Sequence, residues 1–379
     1  MTSAPGASAG PKIRGVTDAA AFRRQFPVFE RFSYLNAGTE GPLPRPAAEA
    51  ARERTESELS GGRAGKPYME RVMELAAQLR AGYARVLGCA DTDVALTGST
   101  TDGVNTVLSG LGLRRGDEVV TSDEEHPGLL APLARLRHQV GITVRVVPFA
   151  ELAGEVTPAT RLVACSHVSW VSGRVADTAA LTATGVPVLL DAAQAVGAVP
   201  VDVHALGCSF YAGSGQKWLC GPEGSGCLFV RPDQLDELTD PWPGYGSLAD
   251  AHHPFESAPA EHAARFDHGF PPGIRSAVAL ASLQVMEDAG WEWVHQRAAE
   301  LAAGLADSLA GRGLEVGPRG RSTLVAWKAD AEDVDAEVAR LAEAGFVVRS
   351  IPSHGLIRAS VGAWSSEEEL AALAEAATA

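Results

Sequence analysis

The chain is predicted to fold as an α/β protein, with a large domain on a mostly parallel sheet between helices and a smaller α+β C-terminal domain. Three observations predict it. Between residues 93 and 230, short apolar runs alternate with segments of helical length and period. Residues with chemistry to offer stand just past the ends of those runs. After about residue 240 the alternation stops, and a long irregular stretch leads into a shorter mixed pattern.

Residues 1–15, MTSAPGASAGPKIRG, have the composition of a disordered tail. Residues 17–26 read as a short helix, and FSYLN as a short strand that enters the loop AGTEGPLPRP. Residues 16–45 form the N-terminal segment. A helix starts near Pro46, since proline is tolerated in a first turn. Residues 47–59 and 69–87 carry helical periodicity, with the polar loop SGGRAGKP between them. The strands that follow are 94–96, 118–121, 143–149, 161–166, 188–190 (ending at Asp191), 208–211 and 226–230. Helices follow TGSTTDG, through residue 111, and SDEEHPG, through residue 138. The large domain is taken as 46–275. The small domain, 276–379 with part of 16–45, opens on one long helix over 276–311. It continues as strand 323–328, helix 332–344, strands 346–349 and 356–360, and helix 365–377.

Composition narrows the function. The net charge is -15, and no basic stripe offsets it, which argues against a nucleic-acid partner. No apolar run is long enough to span a membrane, and the first residues hold no signal-peptide core. The five cysteines, Cys89, Cys165, Cys208, Cys220 and Cys227, are scattered and odd in number. They read as reduced core thiols of a cytoplasmic protein. No metal site is expected. Only four of the 32 basic Lys and Arg residues are lysines, a bias that matches a GC-rich bacterial genome.

One of those lysines, Lys217, follows a strand-like run inside SFYAGSGQKWLCGPEGSG. A lysine framed by glycines can hold a carbonyl compound as a Schiff base, although alone it reads more readily as a surface lysine in a turn. Upstream, TGSTTDG offers hydroxyls and amides at a helix N-terminus, which suit a phosphate or simply cap the helix. His126 in EEHPG can stack on a planar ring, act as an acid–base group, or be a polar loop residue. Asp191 ends the apolar run VPVLLD, where a carboxylate needs a partner such as a protonated ring nitrogen, unless it caps a helix. Gln194 stands three residues on and can donate to a phenolic oxygen. Together these match the requirements of pyridoxal 5′-phosphate (PLP), whose ring becomes an electron sink when its nitrogen is kept protonated.

From about residue 24 onward the chain resembles the class V aminotransferase family of fold-type I PLP enzymes. That family includes cysteine desulfurases, isopenicillin N epimerase-like proteins and C–S lyases. The segments that carry the resemblance are RQFPVFERFSYLNAGTEGPLP, TGSTTDGVNTVL, DEEHPGLLAPL, RLVACSHVSW, VLLDAAQAVGAVPVDV, GSGQKWLCGPEGSGCL, RFDHG and LIRASVGAWSSEEEL. The resemblance implies a seven-stranded sheet and a homodimer with shared active sites. It makes Lys217 the Schiff-base lysine, Asp191 the partner of the pyridine nitrogen, Gln194 a contact of the 3′-oxygen and His126 the stacking ring. Thr100, Thr101 and Ser214 would hold the phosphate, with Gln216 donating to it in place of the usual histidine. Arg358 would bind the substrate α-carboxylate, and Asn36, Ala37 and Gly38 would border the substrate. Two positions depart from the family pattern: Trp170 stands in the region of a frequent asparagine, and Phe270 replaces a threonine that reaches the neighbouring subunit's phosphate.

The reaction follows from what is missing. Relatives that form a persulfide need a cysteine shortly before the carboxylate arginine, and VRSIPSHGLIRASV has none. Cys220, close to Lys217, is expected to point into the core. What remains starts with removal of the Cα proton by Lys217 and ends in β-elimination, epimerisation or transamination of a small amino-acid substrate. Arg349 and Arg358, nine residues apart as in C–S lyases, favour β-elimination from cystine or a cysteine S-conjugate. Arg349 would take a second carboxylate, or it is a surface residue ending a strand. Trp218, Trp242 and Tyr245 either line the pocket or pack in the core.

Overall fold

The computed structural model describes residues 18–329 and 333–379. The tail expected over 1–15, residue 17 of the first helix and residue 332 lie outside the described residues. The chain opens with α1 (Ala19–Arg23), β1 (Ser33–Tyr34), α2 (Arg45–Gly61) and α3 (Gly65–Leu87). The large sheet is then built from β2 (Val94–Thr97), α4 (Thr100–Gly110), β3 (Glu118–Ser122), α5 (Pro127–Gln139), β4 (Thr143–Val147) and β5 (Thr160–Ser166). It is completed by α6 (Thr178–Ala183), β6 (Val188–Asp191), α7 (Val203–Leu206), β7 (Phe210–Ser214) and β8 (Gly226–Val230).

Its seven strands lie in the order β2-β8-β7-β6-β5-β3-β4. Strands β3 to β7 pair in parallel, while β8 runs antiparallel to both β7 and β2. The apolar runs VLLD and LVACS are buried on both faces because helices cover both sides. Alternate residues feed opposite layers. Val163, Cys165, Leu190 and Tyr211 pack toward Leu79 and Tyr83 of α3. Leu162, Ala164, Leu189 and Phe210 pack toward Val104 of α4 and Leu129 of α5. The parallel pairing leaves Ser166, Asp191 and Ser214 at neighbouring carboxyl ends, with Ser166 directly opposite Asp191.

The C-terminal part comprises α8 (Gly273–Ala289), α9 (Trp291–Gly311), β9 (Leu324–Lys328), α10 (Val334–Glu343), β10 (Phe346–Val347), β11 (Arg349–Ile351), β12 (Leu356–Ser360) and α11 (Glu367–Ala376). Strand β1 joins it by pairing in parallel with β10, and β11-β12-β9 form an antiparallel sheet. The N-terminal residues are pinned to its end. Phe22 packs edge-on against Trp293 at 5.3 Å, and Arg23 pairs with Glu369 at 2.8 Å.

Four elements differ from expectation. The helix expected over 276–311 is two helices, broken at Gly290 with φ 88° and ψ 118°, a conformation glycine alone adopts readily. Lys66 and Pro67 belong to the first turn of α3 rather than to a loop. The strand expected at 208–211 begins at Phe210 and runs to Ser214. Ala212 and Gly213 are poor strand formers, but close packing holds them there: a Cβ on Gly103 of α4 would stand 3.0 Å from that of Ala212. The strand expected at 346–349 splits, since Val347 pairs with β1 and Arg349 with β12.

Candidate active site

Past Ser214 the chain turns tightly. The amide of Gly215 donates to the Ser225 carbonyl (2.8 Å) and that of Gly221 to Gly215 (2.9 Å). Cys220 closes the turn with φ 54°, and Ser282 of α8 donates to its carbonyl at 2.7 Å. The Cys220 thiol is fully buried, as expected, and burial raises its pKa well above the ordinary thiol value. Lys217 lies at the centre of this turn. Burial pulls its ammonium pKa down to about 8; Arg358 and Arg349 push the same way, while Asp191 and Glu40 oppose them.

Asp191 is 6% exposed and accepts one backbone hydrogen bond, from Ala193 at 2.9 Å. Burial raises its pKa, and the Ala193 N–H and Lys217 counter that. Gln194 is buried beside it, but both ends of its amide are engaged. Its Nε2 donates to the Gly38 carbonyl (2.7 Å), and its Oε1 accepts from the Trp218 indole (3.1 Å). Trp218 is therefore part of the core under the site. Trp242 and Tyr245 are 63% and 76% exposed on the irregular stretch after β8.

At the head of α4, Ser99 caps the helix by accepting from the Asp102 amide at 3.1 Å. The amides of Thr100 and Thr101 are left without an intrahelical acceptor. The buried Thr100 and Ser214 hydroxyls are 2.7 Å apart, Thr101 is exposed, and the Gln216 Oε1 is buried without a partner. His268, from RFDHG, bonds Asp102 at 3.1 Å and braces this helix start. Phe270 is exposed.

His126 caps α5, its Nδ1 accepting from the Gly128 amide at 3.0 Å. Burial, together with Lys217 and the two arginines, lowers its pKa to about 4, so the ring is neutral near pH 7. That favours a stacking wall over an acid–base group. Trp170 meets His126 edge-on at 5.0 Å, and its carbonyl accepts from Arg358. Behind them Glu125 is buried, with hydrogen bonds from Ser122 and Ser166, and burial pushes its pKa up to about 7.

Arg358 is 1% exposed, and its Nε has no partner. It stands directly across β12–β11 from Arg349, and burial lowers its pKa to about 9, with Arg349 adding to the effect. Like charges opposite each other destabilise a sheet. Among the described residues neither guanidinium has a carboxylate partner, so the pair presents unmet positive charge to a ligand. Arg349 instead donates to the Thr39 hydroxyl at 2.9 Å.

The loop Asn36–Gly41 closes over these groups. Asn36 bridges to Ser360 at the end of β12 and accepts from Thr39 (2.8 Å); Ala37 is fully buried. The Gly38 Cα faces Arg358 and Ser360, and the Gly41 amide donates to the Gln216 carbonyl at 2.7 Å. A Cβ at Gly41 would overlap the Lys217 carbonyl oxygen. Gly41→Ala is therefore expected to displace the lysine turn and lower ligand retention about tenfold or more, measured as bound PLP per chain after dialysis.

The structure thus gathers Lys217, Asp191, His126, Gln194, Gln216, Arg349, Arg358 and the Asn36–Gly38 loop around one point, with Thr100 and Ser214 beside it. Sequence reading passed over two groups, Glu40 and Glu125, and left Trp218 open between pocket and core. For Glu40 there was a signal, since it is the only acid in residues 32–46. Among the described residues no cluster of His, Cys, Asp and Glu is arranged to hold a metal, and no helix is long and apolar enough to cross a membrane.

A sequence profile of the class-V aminotransferase family matches residues 34–373. A probable cysteine desulfurase of Methanothermobacter thermautotrophicus is 33% identical over 242 residues, 60% of each chain. The isopenicillin N epimerase of Streptomyces clavuligerus is 33% identical over 262 residues, 64% of this chain and 62% of that protein. The chain thus matches about three fifths of the length of these curated relatives. The solved structure of the cystine C–S lyase C-DES with its product cysteine persulfide superimposes with a TM-score of 0.88 at 30% identity, covering 93% of this chain and 99% of that one.

Proposed function

The chain belongs to the class V aminotransferase family, and on that premise we propose that it is a PLP-dependent C–S β-lyase acting on an L-cysteine derivative, cystine or a cysteine S-conjugate. The observation that carries this reading is the unpaired Arg349–Arg358 couple facing Lys217, on a segment without cysteine.

The residues fit the cofactor. Among the described residues Asp191 is a buried carboxylate whose one cationic neighbour is Lys217, and Gln216 Oε1 and Arg358 Nε lack partners. Asp191 would hold positive charge at the ring nitrogen. His126 would cover one face of the ring, and the α4 amides with Thr100, Thr101, Ser214 and Gln216 would hold the phosphate. Gln194 would contact the 3′-oxygen through the amide that now fastens Gly38. When bound, PLP supplies the electron sink for the pair left at the substrate Cα.

The chain does the rest. Arg358 holds the α-carboxylate and orients the Cα–H bond toward Lys217. Lys217, its pKa near 8, takes that proton at Nζ and can return it to the departing sulfur. Asn36, Ala37 and Gly38 close over the substrate. All five cysteines precede residue 228; four are buried, and burial raises the pKa of the fifth, Cys89, to about 12, so no thiolate collects the sulfur. The net reaction on cystine takes up one water and releases cysteine persulfide, pyruvate and ammonia. The protein acts as a cytoplasmic homodimer, with the exposed Trp242, Tyr245, Phe255 and Phe270 available to a second copy.

The likeness to the isopenicillin N epimerase supports a second reading, epimerisation. Turnover in deuterated water separates the two. The lyase releases pyruvate from cystine or S-alkylcysteines. Deuterium entering Cα of unconsumed amino acid, with no pyruvate, identifies an epimerase. Keto-acid-dependent amine exchange identifies an aminotransferase.

A further inference from the structure

We propose that Glu40 selects substrates whose leaving group is itself an amino acid, receiving the distal ammonium while Arg349 receives the distal carboxylate. This deepens the lyase reading and rests on it. Glu40 is held between the two halves of the site. On one side Thr39 accepts from Arg349 (2.9 Å). On the other, the Gly41 amide bonds the residue before Lys217 at 2.7 Å. The Tyr34 hydroxyl donates to the Glu40 carbonyl at 2.8 Å and fixes the loop from below.

The carboxylate itself is half-buried, with no ion pair and no side-chain hydrogen bond among the described residues. Burial raises its pKa, the nearby Glu223 adds to that, and Lys217 opposes them. Lys217 is committed to the substrate amine and Cα. Arg358 is fully buried with an unpartnered Nε, an independent sign that an anion belongs there, and it takes the proximal carboxylate. Arg349 and Glu40 both act electrostatically on Lys217, so one cation and one anion are left over beside the reacting lysine. A zwitterionic amino-acid head satisfies both. An S-alkyl group would satisfy neither and would leave both charges partly desolvated and unpaired. The step needs no further reagent: the Cβ–S bond breaks, sulfur keeps the electron pair and gains a proton, and the distal half leaves with its amine and carboxylate unchanged. Disulfide and thioether bridges both qualify.

The test compares L-cystine with the mixed disulfide of L-cysteine and 3-mercaptopropionate, the same molecule without the distal amine. In the PLP-loaded protein, kcat/KM is expected to favour cystine about tenfold, through KM. Glu40→Gln should reduce that preference to near unity, and Glu40→Asp, which keeps the charge, should retain most of it. Dissociation constants of the two ligands on PLP-loaded Lys217→Ala, with and without Glu40→Gln, should show the same loss of preference without any turnover. A preference untouched by Glu40→Gln, or an equal loss for both molecules, would overturn the proposal. If no cysteine derivative yields pyruvate, the lyase reading fails, and the binding ratio still decides the role of Glu40.

Discussion

Lys217→Ala is expected to lower turnover by at least on the order of 10³-fold, since the variant loses both the covalent anchor and the proton carrier. The yellow colour of the loaded protein should disappear with it. Among the described residues no other lysine stands near the site: the remaining ones there are Lys66 and Lys328. Of these, Lys66 pairs with Glu70 at the start of α3, and Lys328 ends β9. The pH dependence carries a second expectation. A lysine amine reacts with an aldehyde only as the free base, and the Lys217 pKa is pulled down to about 8. Below that value the ammonium form dominates, so capture of PLP by the cofactor-free protein should rise about tenfold per pH unit and level off above pH ~8. An ordinary lysine would keep the rate climbing toward 10.5. Stopped-flow absorbance across pH 6 to 10 reads the difference. A variant that keeps both colour and activity would remove Lys217 from the chemistry.

The second large effect is expected from Arg358→Ala, which should raise KM for cysteine derivatives about 10²-fold with a smaller change in kcat. The guanidinium is buried and faces a like charge across the strand pair, so its affinity for an anion is not diluted by water. Arg358→Lys keeps the charge but loses the fork and should recover only part of the binding. Arg358 also donates to the Trp170 carbonyl, so melting temperatures must accompany the kinetics. A KM effect that exceeds the stability loss is the signature of a carboxylate contact. Unchanged KM in Arg358→Ala would move that contact to Arg349.

The alternation of apolar runs and helical segments was enough to read a mostly parallel sheet and to put Asp191 and the lysine turn at its carboxyl ends; the seven-stranded sheet was implied by the family resemblance. Where reading failed, non-local contacts decided. Nothing local in GCLFV says that β8 pairs antiparallel with both β7 and β2. Ala212 and Gly213 are in a strand because α4 packs on them, not from their own propensity. The site was legible where a residue type is costly without a partner, as for Asp191 at the end of VPVLLD. It was less legible where function depends on what the side chain touches. Gln194 was assigned to a ligand, and the structure has it fastening Gly38 and Trp218 as well. Glu40 carries no signal beyond being an acid in a Gly- and Pro-rich loop; its meaning comes from Arg349, more than 300 residues away, bonding the residue before it.

The most direct measurement is a product balance on cystine with the PLP-loaded protein: pyruvate, ammonia and alanine quantified together, with intact-protein mass taken after alkylation. The account predicts one pyruvate and one ammonia per cystine consumed, sulfur leaving as free cysteine persulfide, no alanine, and an unmodified protein. Alanine in place of pyruvate, with sulfur retained on a cysteine of the chain, would contradict it and make the protein a desulfurase.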